Sequence, residues 1–311
     1  MPESASWTRR DIDIPLPDGV VLRGWHYAQA KAGAPVIVMS HGFGAVKEMQ
    51  LDLIADAFAT GGFNCIVYDH RNLGASGGEP RHHIDPWQQI TDCREVVTFA
   101  RHLADVDGAR LGIWGTSYSG GHALVMGATD RRIRAVVSQG ATISGHRTSL
   151  RRFPGDSWGK MAARFAKDRD AVFKGAPMAV GAMMPDVTAE DIARTDIAID
   201  EAQPGNSSAD WVRATPPDKL KNWGNKLTLR SLELYRTYEP GAWVAHISPT
   251  PLLMITTDND TVTPTDEILG AYNRALEPKR LVILKGGHCD LYAYRRAEAV
   301  QAALAFYREF L

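Results

Sequence analysis

The sequence predicts an α/β domain, a mostly parallel sheet flanked by helices, interrupted by an inserted helical cap. Three observations carry this. Short runs rich in β-branched residues alternate with longer segments of helical period through the first 141 residues, and the rhythm returns near the C-terminus. Between them, 142–248 shows no strong buried-strand pattern. Finally, 311 residues exceed the roughly 150 of a single domain, which an insertion explains. The expected division is a core of 1–141 and 249–311 with a cap or lid of 142–248.

Each element follows from its local pattern. Asp11–Leu16 and Val20–Tyr27 read as strands joined by Pro17-Asp18-Gly19, a hairpin turn signal. Four runs, Pro35–Ser40, Cys65–Asp69, Ala109–Gly115 and Ile133–Gln139, read as buried strands. Helical period covers Lys47–Ala59, Pro86–Leu103 and Tyr118–Ala128. Strands separated by helices imply right-handed crossovers and hence parallel neighbours. Within the insertion, Ser157–Phe173 and Thr188–Asp200 are amphipathic. Strands Pro251–Thr257 and Arg280–Leu284, with helices Thr265–Leu276 and Arg295–Leu311, complete the chain.

Charge and composition exclude several classes. Lys+Arg 35 against Asp+Glu 36 leaves a net charge of -1, so no global field draws nucleic acid or an anionic membrane. No apolar run reaches the ~18 residues of a membrane span, and the N-terminus lacks a basic start followed by an apolar stretch. Cys65, Cys93 and Cys289 show no metal-binding spacing and fit a reducing compartment, so a cytoplasmic location is expected.

The chemistry centres on serine. Gly-x-Ser-x-Gly occurs at Gly74-Ala-Ser76-Gly-Gly78 and at Gly155-Asp-Ser157-Trp-Gly159, but the first opens no helix and the second follows no strand. Gly115-Thr-Ser117-Tyr-Ser119-Gly120-Gly121 departs from the pattern at Ser119, yet a strand leads in and a helix leads out. That context holds a hydroxyl on a strained turn clear of the sheet, and needs small residues two positions either side. Ser117 is therefore the candidate nucleophile.

A serine hydroxyl needs a base, and the base needs an orienting acid, in the chain order Ser, acid, His. Of four downstream histidines, His122, His146 and His246 fit structural or surface roles; His288 follows a strand in Leu284-Lys-Gly-Gly-His288. Asp260, ahead of Val-Thr-Pro264, is the candidate acid, with Asp258 as runner-up. Oxyanion donors are expected at the N–H groups of Tyr118 and of Phe43, in His41-Gly42-Phe43-Gly44, with Gly44 as the alternative and His41 pinning the loop. No Gly-x-Gly-x-x-Gly or Walker lysine supports a phosphate loop.

Taken together, His41-Gly-Phe-Gly, Asp69-His-Arg71-Asn-Leu-Gly74-Ala-Ser76, the Ser117 elbow, Asp260 and Gly286-Gly-His288 resemble the α/β-hydrolase superfamily. Asn72 stands where that family usually has Gly in the Asp69 loop. Within it, Ser117-Tyr118 and the strand Val20–Trp25 look most like the dienelactone-hydrolase-like and Xaa-Pro-peptidase-like groups. Trp223–Tyr235, followed by Ile247-Ser-Pro-Thr-Pro, is similar to hydrolases that accompany polyketide pathways.

The resemblance implies a serine hydrolase without cofactor or metal, acting through an acyl-enzyme on a carboxylic ester or lactone of a fairly apolar small molecule. The alternative is a thioesterase or carbon–carbon bond hydrolase acting on polyketide-like substrates. Met183, Met184 and Trp158, in the expected cap, are candidate substrate contacts. Arg147, Arg151 and Arg152, and Arg81-His82-His83, are basic clusters that could steer a carboxylate or a phosphopantetheine-bearing substrate, or be plain solvated surface. A small-molecule substrate is the expected partner, with a homodimer left open.

Overall fold

The computed structural model describes residues 7–153, 155–190 and 204–311. The chain opens with β1 (Trp7–Pro15), β2 (Val21–Gln29) and β3 (Ala34–Ser40), followed by α1 (Leu51–Thr60), β4 (Asn64–Tyr68) and α2 (Pro86–Arg101). Next come β5 (Val106–Thr116), α3 (Tyr118–Thr129) and β6 (Ala135–Gln139). The intervening segment supplies α4 (Gly145–Arg152), α5 (Ser157–Phe173), β7 (Val180–Gly181), α6 (Ser208–Ala214), β8 (Leu227–Thr228) and α7 (Leu229–Arg236). The chain closes with β9 (Leu252–Thr257), α8 (Thr265–Arg274), β10 (Lys279–Leu284) and α9 (Arg296–Phe310).

The eight long strands form one sheet in the order β1-β2-β4-β3-β5-β6-β9-β10. The β1–β2 hairpin pairs antiparallel and attaches antiparallel to β4; every other neighbour is parallel. β4, β6 and β9 are buried along their whole length because both faces are covered. In β3, Val36 and Val38 pack on α2 and α3, while Ile37 and Met39 pack on α1 and α9. The register places Ser40 beside Gly115, Thr116 beside Gln139, and Thr257 beside Leu284. The loops that follow these strands therefore open at one edge, the carboxyl edge where open α/β sheets bind ligands.

Element boundaries depart from the sequence pattern where side chains rather than periodicity decide. The helix expected from Lys47 starts only at Leu51, after Gln50 adopts a left-handed φ of 76°. Lys47 instead buries its ammonium against Asp69, 2.7 Å away, and gives its N–H to the same carboxylate at 2.7 Å. Helix α2 starts where expected, because Asp85 caps Trp87 and Gln88 and Pro86 fills the first turn. Helix α4, unanticipated, is capped by the Ser144 hydroxyl on Arg147 N–H at 3.0 Å. Helix α5 spans the expected Ser157–Phe173, whereas the expected helix Thr188–Asp200 lies outside the described residues from 191 onward.

The segment between β6 and β9 divides its packing. Trp211, Val212, Leu220 and Trp223 join Val46, Met49 and Tyr292 in a cluster over the loop ahead of α1. Tyr238, Val244 and Ile247, at the end of the segment, pack instead in the main core under α3.

Candidate active site

Ser117 alone separates β5 from α3, at φ 54° and ψ −118°. A non-glycine residue there costs on the order of 1–3 kcal/mol and persists only when its surroundings enforce it. Here they do: Ser117 N–H donates to Gln139 O at 2.8 Å, and Ser117 O accepts from Thr142 N–H at 2.9 Å and Gly120 N–H at 3.0 Å. Gly115 is required, since a Cβ there would stand 1.9 Å from Ser119 O. Ser119 is fully buried and its hydroxyl lies 3.1 Å from His70 Nε2, so the departure from glycine supplies a hydrogen bond without crowding the turn. The other two serines have different settings. Ser76 donates to Asp69 O at 2.6 Å and accepts from Arg23 N–H at 2.8 Å, and Ser157 opens α5.

Ser117 Oγ lies 3.1 Å from His288 Nε2, and His288 Nδ1 lies 2.7 Å from Asp260 Oδ2. Asp260 is held by the N–H groups of Val262 and Thr263, which donate to Oδ1 at 2.9 and 2.8 Å. The Thr263 hydroxyl stands 2.8 Å from Asp260 Oδ2, 2.9 Å from Gly140 O and 3.0 Å from His288 Nδ1. Asp258 faces elsewhere and accepts Gly286 N–H at 2.9 Å, tying the two loops together. Asn206, from the segment between β6 and β9, clamps the same loops: its Oδ1 accepts from Thr261 N–H at 2.9 Å and His288 N–H at 3.0 Å. Nothing in the sequence around Asn206 signals that contact; it arises only when the chain folds back. Thr263 lies within the Val-Thr-Pro run beside Asp260, so its signal was local.

The remaining histidines sit apart from Ser117 Oγ. His122 is buried between the Tyr238 hydroxyl at 2.7 Å and Gln89 Oε1 at 3.0 Å. Burial, with His41 nearby, pushes its pKa down to about 3. His41 is buried beneath the loop, its Nε2 accepting from His70 N–H at 3.3 Å; burial lowers the pKa of both rings. His146 and His246 are exposed. The Arg81 guanidinium donates to Gly74 O and Ser76 O, and His83 Nδ1 meets Thr228 Oγ1 at 2.9 Å, so that cluster is tied into local structure. Asn72 adopts φ 67°, the left-handed conformation glycine would supply, and anchors it through Asn72 Nδ2 to His83 O at 3.1 Å.

Two cavities meet at Ser117. The smaller, about 100 Å³, is walled by the aromatic rings of Phe43, Tyr118, Phe153, Trp158, Phe165 and Tyr235. The larger, about 440 Å³, is lined by Met183, Met184, Trp211, Tyr292, His41 and His288 among others. Trp158 thus borders the smaller cavity, and Met183 and Met184 the larger. Trp223 is instead tied down, its indole N–H donating to Gly44 O at 3.0 Å, and Trp243 packs on the main core. Gly42 allows the loop after β3 to approach Ser117, since a Cβ there would stand 3.1 Å from Ser117 Cβ. Among the described residues, neither Phe43 N–H nor Tyr118 N–H has an acceptor within the chain. Also among the described residues, no three His, Cys, Asp or Glu side chains converge as a metal site requires, and no helix is long and apolar enough to cross a membrane.

A strand–turn–helix serine facing an Asp–His pair across a parallel sheet defines an α/β-hydrolase-type enzyme. The chain belongs to the alpha/beta hydrolase fold family, whose model matches residues 35–292. It is 30% identical over 308 residues to a thiohydrolase of Eupenicillium brefeldianum, covering 99% of this chain and 96% of that protein. It is 31% identical over 290 residues to the polyketide transferase grgF of Penicillium sp, covering 91% and 90%. The crystal structure of the alpha/beta hydrolase GrgF from Penicillium sp. sh18 superposes with a TM-score of 0.79 at 27% identity, covering 97% of this chain and 99% of that one.

Proposed function

We propose that the protein is a serine hydrolase that cleaves a carboxylic ester or lactone of a fairly apolar small molecule. The observation that carries this reading is the continuous hydrogen-bonded chain Ser117–His288–Asp260 beside two chambers. Ser117 Oγ attacks the carbonyl carbon while His288 Nε2 takes the hydroxyl proton. Asp260 fixes the imidazole with Nε2 toward serine and stabilises the imidazolium. The N–H groups of Phe43 and Tyr118 bind the developing oxyanion. His288 then gives its proton to the departing oxygen, leaving an acyl-serine; a water deprotonated by His288 returns free acid and serine.

Proton flow orients the substrate. His288 lines the larger chamber and not the smaller, so the leaving group departs, and water enters, through the larger one. The acyl group then occupies the aromatic-walled chamber, where exclusion of water strengthens the oxyanion contacts. The segment 142–248 serves as a cap over this site, with Trp158, Met183 and Met184 among its substrate contacts. Three free, buried cysteines support a reducing, cytoplasmic setting.

A second reading, a thioester of a polyketide-like acyl group, is favoured by relatives named thiohydrolase and polyketide transferase that align with nearly the whole chain. The same steps apply with a thiolate as leaving group. Matched p-nitrophenyl esters and N-acetylcysteamine thioesters of increasing acyl length decide between the two. A higher kcat/KM for the esters supports the first reading. A reversal for every acyl group replaces it with the second, and turnover of neither series contradicts both.

A further inference from the structure

The three arginines of α4 have unequal fates. Arg147 Nε lies 2.9 Å from Glu267, and Arg151 holds Asp266 with two bonds of 2.7 and 2.6 Å. Both charges are neutralised on the flank of α8. Arg152 is exposed and has no hydrogen bond or ion pair among the described residues. It borders the smaller chamber, the larger chamber and a third hollow, whose wall also carries Asp258, Asp260 and Asp266. It shares both chambers with Ser117, Phe43, Leu232 and Val262. Asp186 is the acidic residue on the larger chamber's wall, and it makes no ion pair with Arg152.

We propose that Arg152 is a specificity-determining residue that binds an anionic oxygen group on the substrate, where the two chambers meet solvent. The proposal rests on the reading of Ser117 as the reacting residue and names the substrate class that site prefers. A guanidinium suits the role because its planar fork grips a carboxylate or phosphate with paired bonds, and it stays charged against apolar walls. Ionised Arg147 and Arg151 cannot compete, since each already has a carboxylate. Two sources share this chemistry: a carboxylate at the far end of the acyl group, or a phosphate on the thiol or alcohol that leaves.

The test uses two matched substrate pairs on the full chain. In one, the p-nitrophenyl monoester of glutaric acid is compared with p-nitrophenyl butyrate, placing the anion on the acyl side. In the other, butyryl coenzyme A is compared with butyryl N-acetylcysteamine, placing it on the leaving side. R152Q is expected to lower the anionic-to-neutral ratio of kcat/KM about tenfold in at least one pair, the loss of one charge-assisted contact. R152K restores part of it, and R147Q leaves the ratio within about twofold. The pair that responds identifies the source. A ratio that moves less than about twofold in both pairs overturns the proposal.

Binding of the same compounds to S117A, against S117A/R152Q, keeps the two readings distinguishable. This measurement needs no turnover. If wild type turns over nothing but S117A prefers the anionic compounds through Arg152, the reaction assigned to Ser117 fails and the anion site stands. Equal affinity in the single and double variants overturns the anion site whatever the kinetics show.

Discussion

Asp260 Oδ2 lies 2.7 Å from His288 Nδ1, while Asp258, two residues earlier, turns to the Gly286 N–H. The two carboxylates therefore separate cleanly by substitution. D260N replaces the carboxylate with a neutral amide that can present its NH2 to His288 Nδ1 and impose the wrong tautomer, and kcat for a p-nitrophenyl ester is expected to fall about 10³–10⁴-fold with the fold intact by circular dichroism. D258N loosens a loop tie, and its kcat stays within about tenfold of wild type while the melting temperature drops. Equal losses in the two variants would refute the assignment of the acid.

Thr263 touches the same pair from the side. Its hydroxyl stands within 3.0 Å of Asp260 Oδ2, Gly140 O and His288 Nδ1. On the proposed mechanism it is a positioning residue for carboxylate and ring. T263V should lower kcat about 10–100-fold with little change in KM, and T263S should restore most of it. A T263S variant no better than T263V would show that the methyl packing, not the hydroxyl, matters.

The Lys47–Asp69 pair lies almost wholly out of water, with Asp69 also accepting Ala75 N–H at 2.9 Å. Removing Asp69 leaves the buried Lys47 ammonium with Glu48, 3.0 Å away, as its one remaining carboxylate among the described residues. D69A should cost about 3–5 kcal/mol in urea unfolding, whereas K47M/D69A recovers part of the loss. Recovery is partial because the backbone N–H groups at positions 47 and 75 still lack their acceptor and Glu48 loses its Lys47 partner. A D69A cost below about 1 kcal/mol would contradict the buried-pair account.

The His41–His70–His122 cluster sets a pH dependence of stability. Burial lowers all three pKa values in the folded chain, His122 to about 3. Below an unfolded-state pKa of about 6.5 the unfolded chain binds protons that the folded chain refuses, so stability is lost as pH falls through that window. Each histidine contributes a slope of up to about 1.4 kcal/mol per pH unit. Melting temperatures between about pH 5 and 7 should decline steeply on the acid side, before most carboxylates titrate. H122Q should flatten that decline; an unchanged slope would show that these rings do not stay neutral in the fold.

Legibility followed the range of the interactions involved. The strand–helix alternation and the Ser117 elbow are encoded in neighbouring residues, and Ser117, Asp260 and His288, which the fold brings within hydrogen-bonding distance, each lie in the loop after a recognisable strand. The stretch from Lys47 to Gln50 misled the pattern: its spacing continues the helical period, but the Lys47–Asp69 pair and the left-handed Gln50 override it. Asn206 and Arg152 belong to the segment between β6 and β9, whose contacts with the site depend on how it folds over the sheet. Periodicity carries no information about that docking. Ser119, in contrast, was a departure from pattern whose reason, a bond to His70, needed the folded chain.

The central claim is that Ser117 is the nucleophile. Incubating the folded protein with a fluorophosphonate and mapping the adduct by peptide mass spectrometry measures this directly. The account predicts one phosphonylated residue, Ser117, with activity lost in step with labelling and no adduct in S117A. Labelling that persists in S117A, or an adduct placed on Ser76 or Ser157, would contradict it.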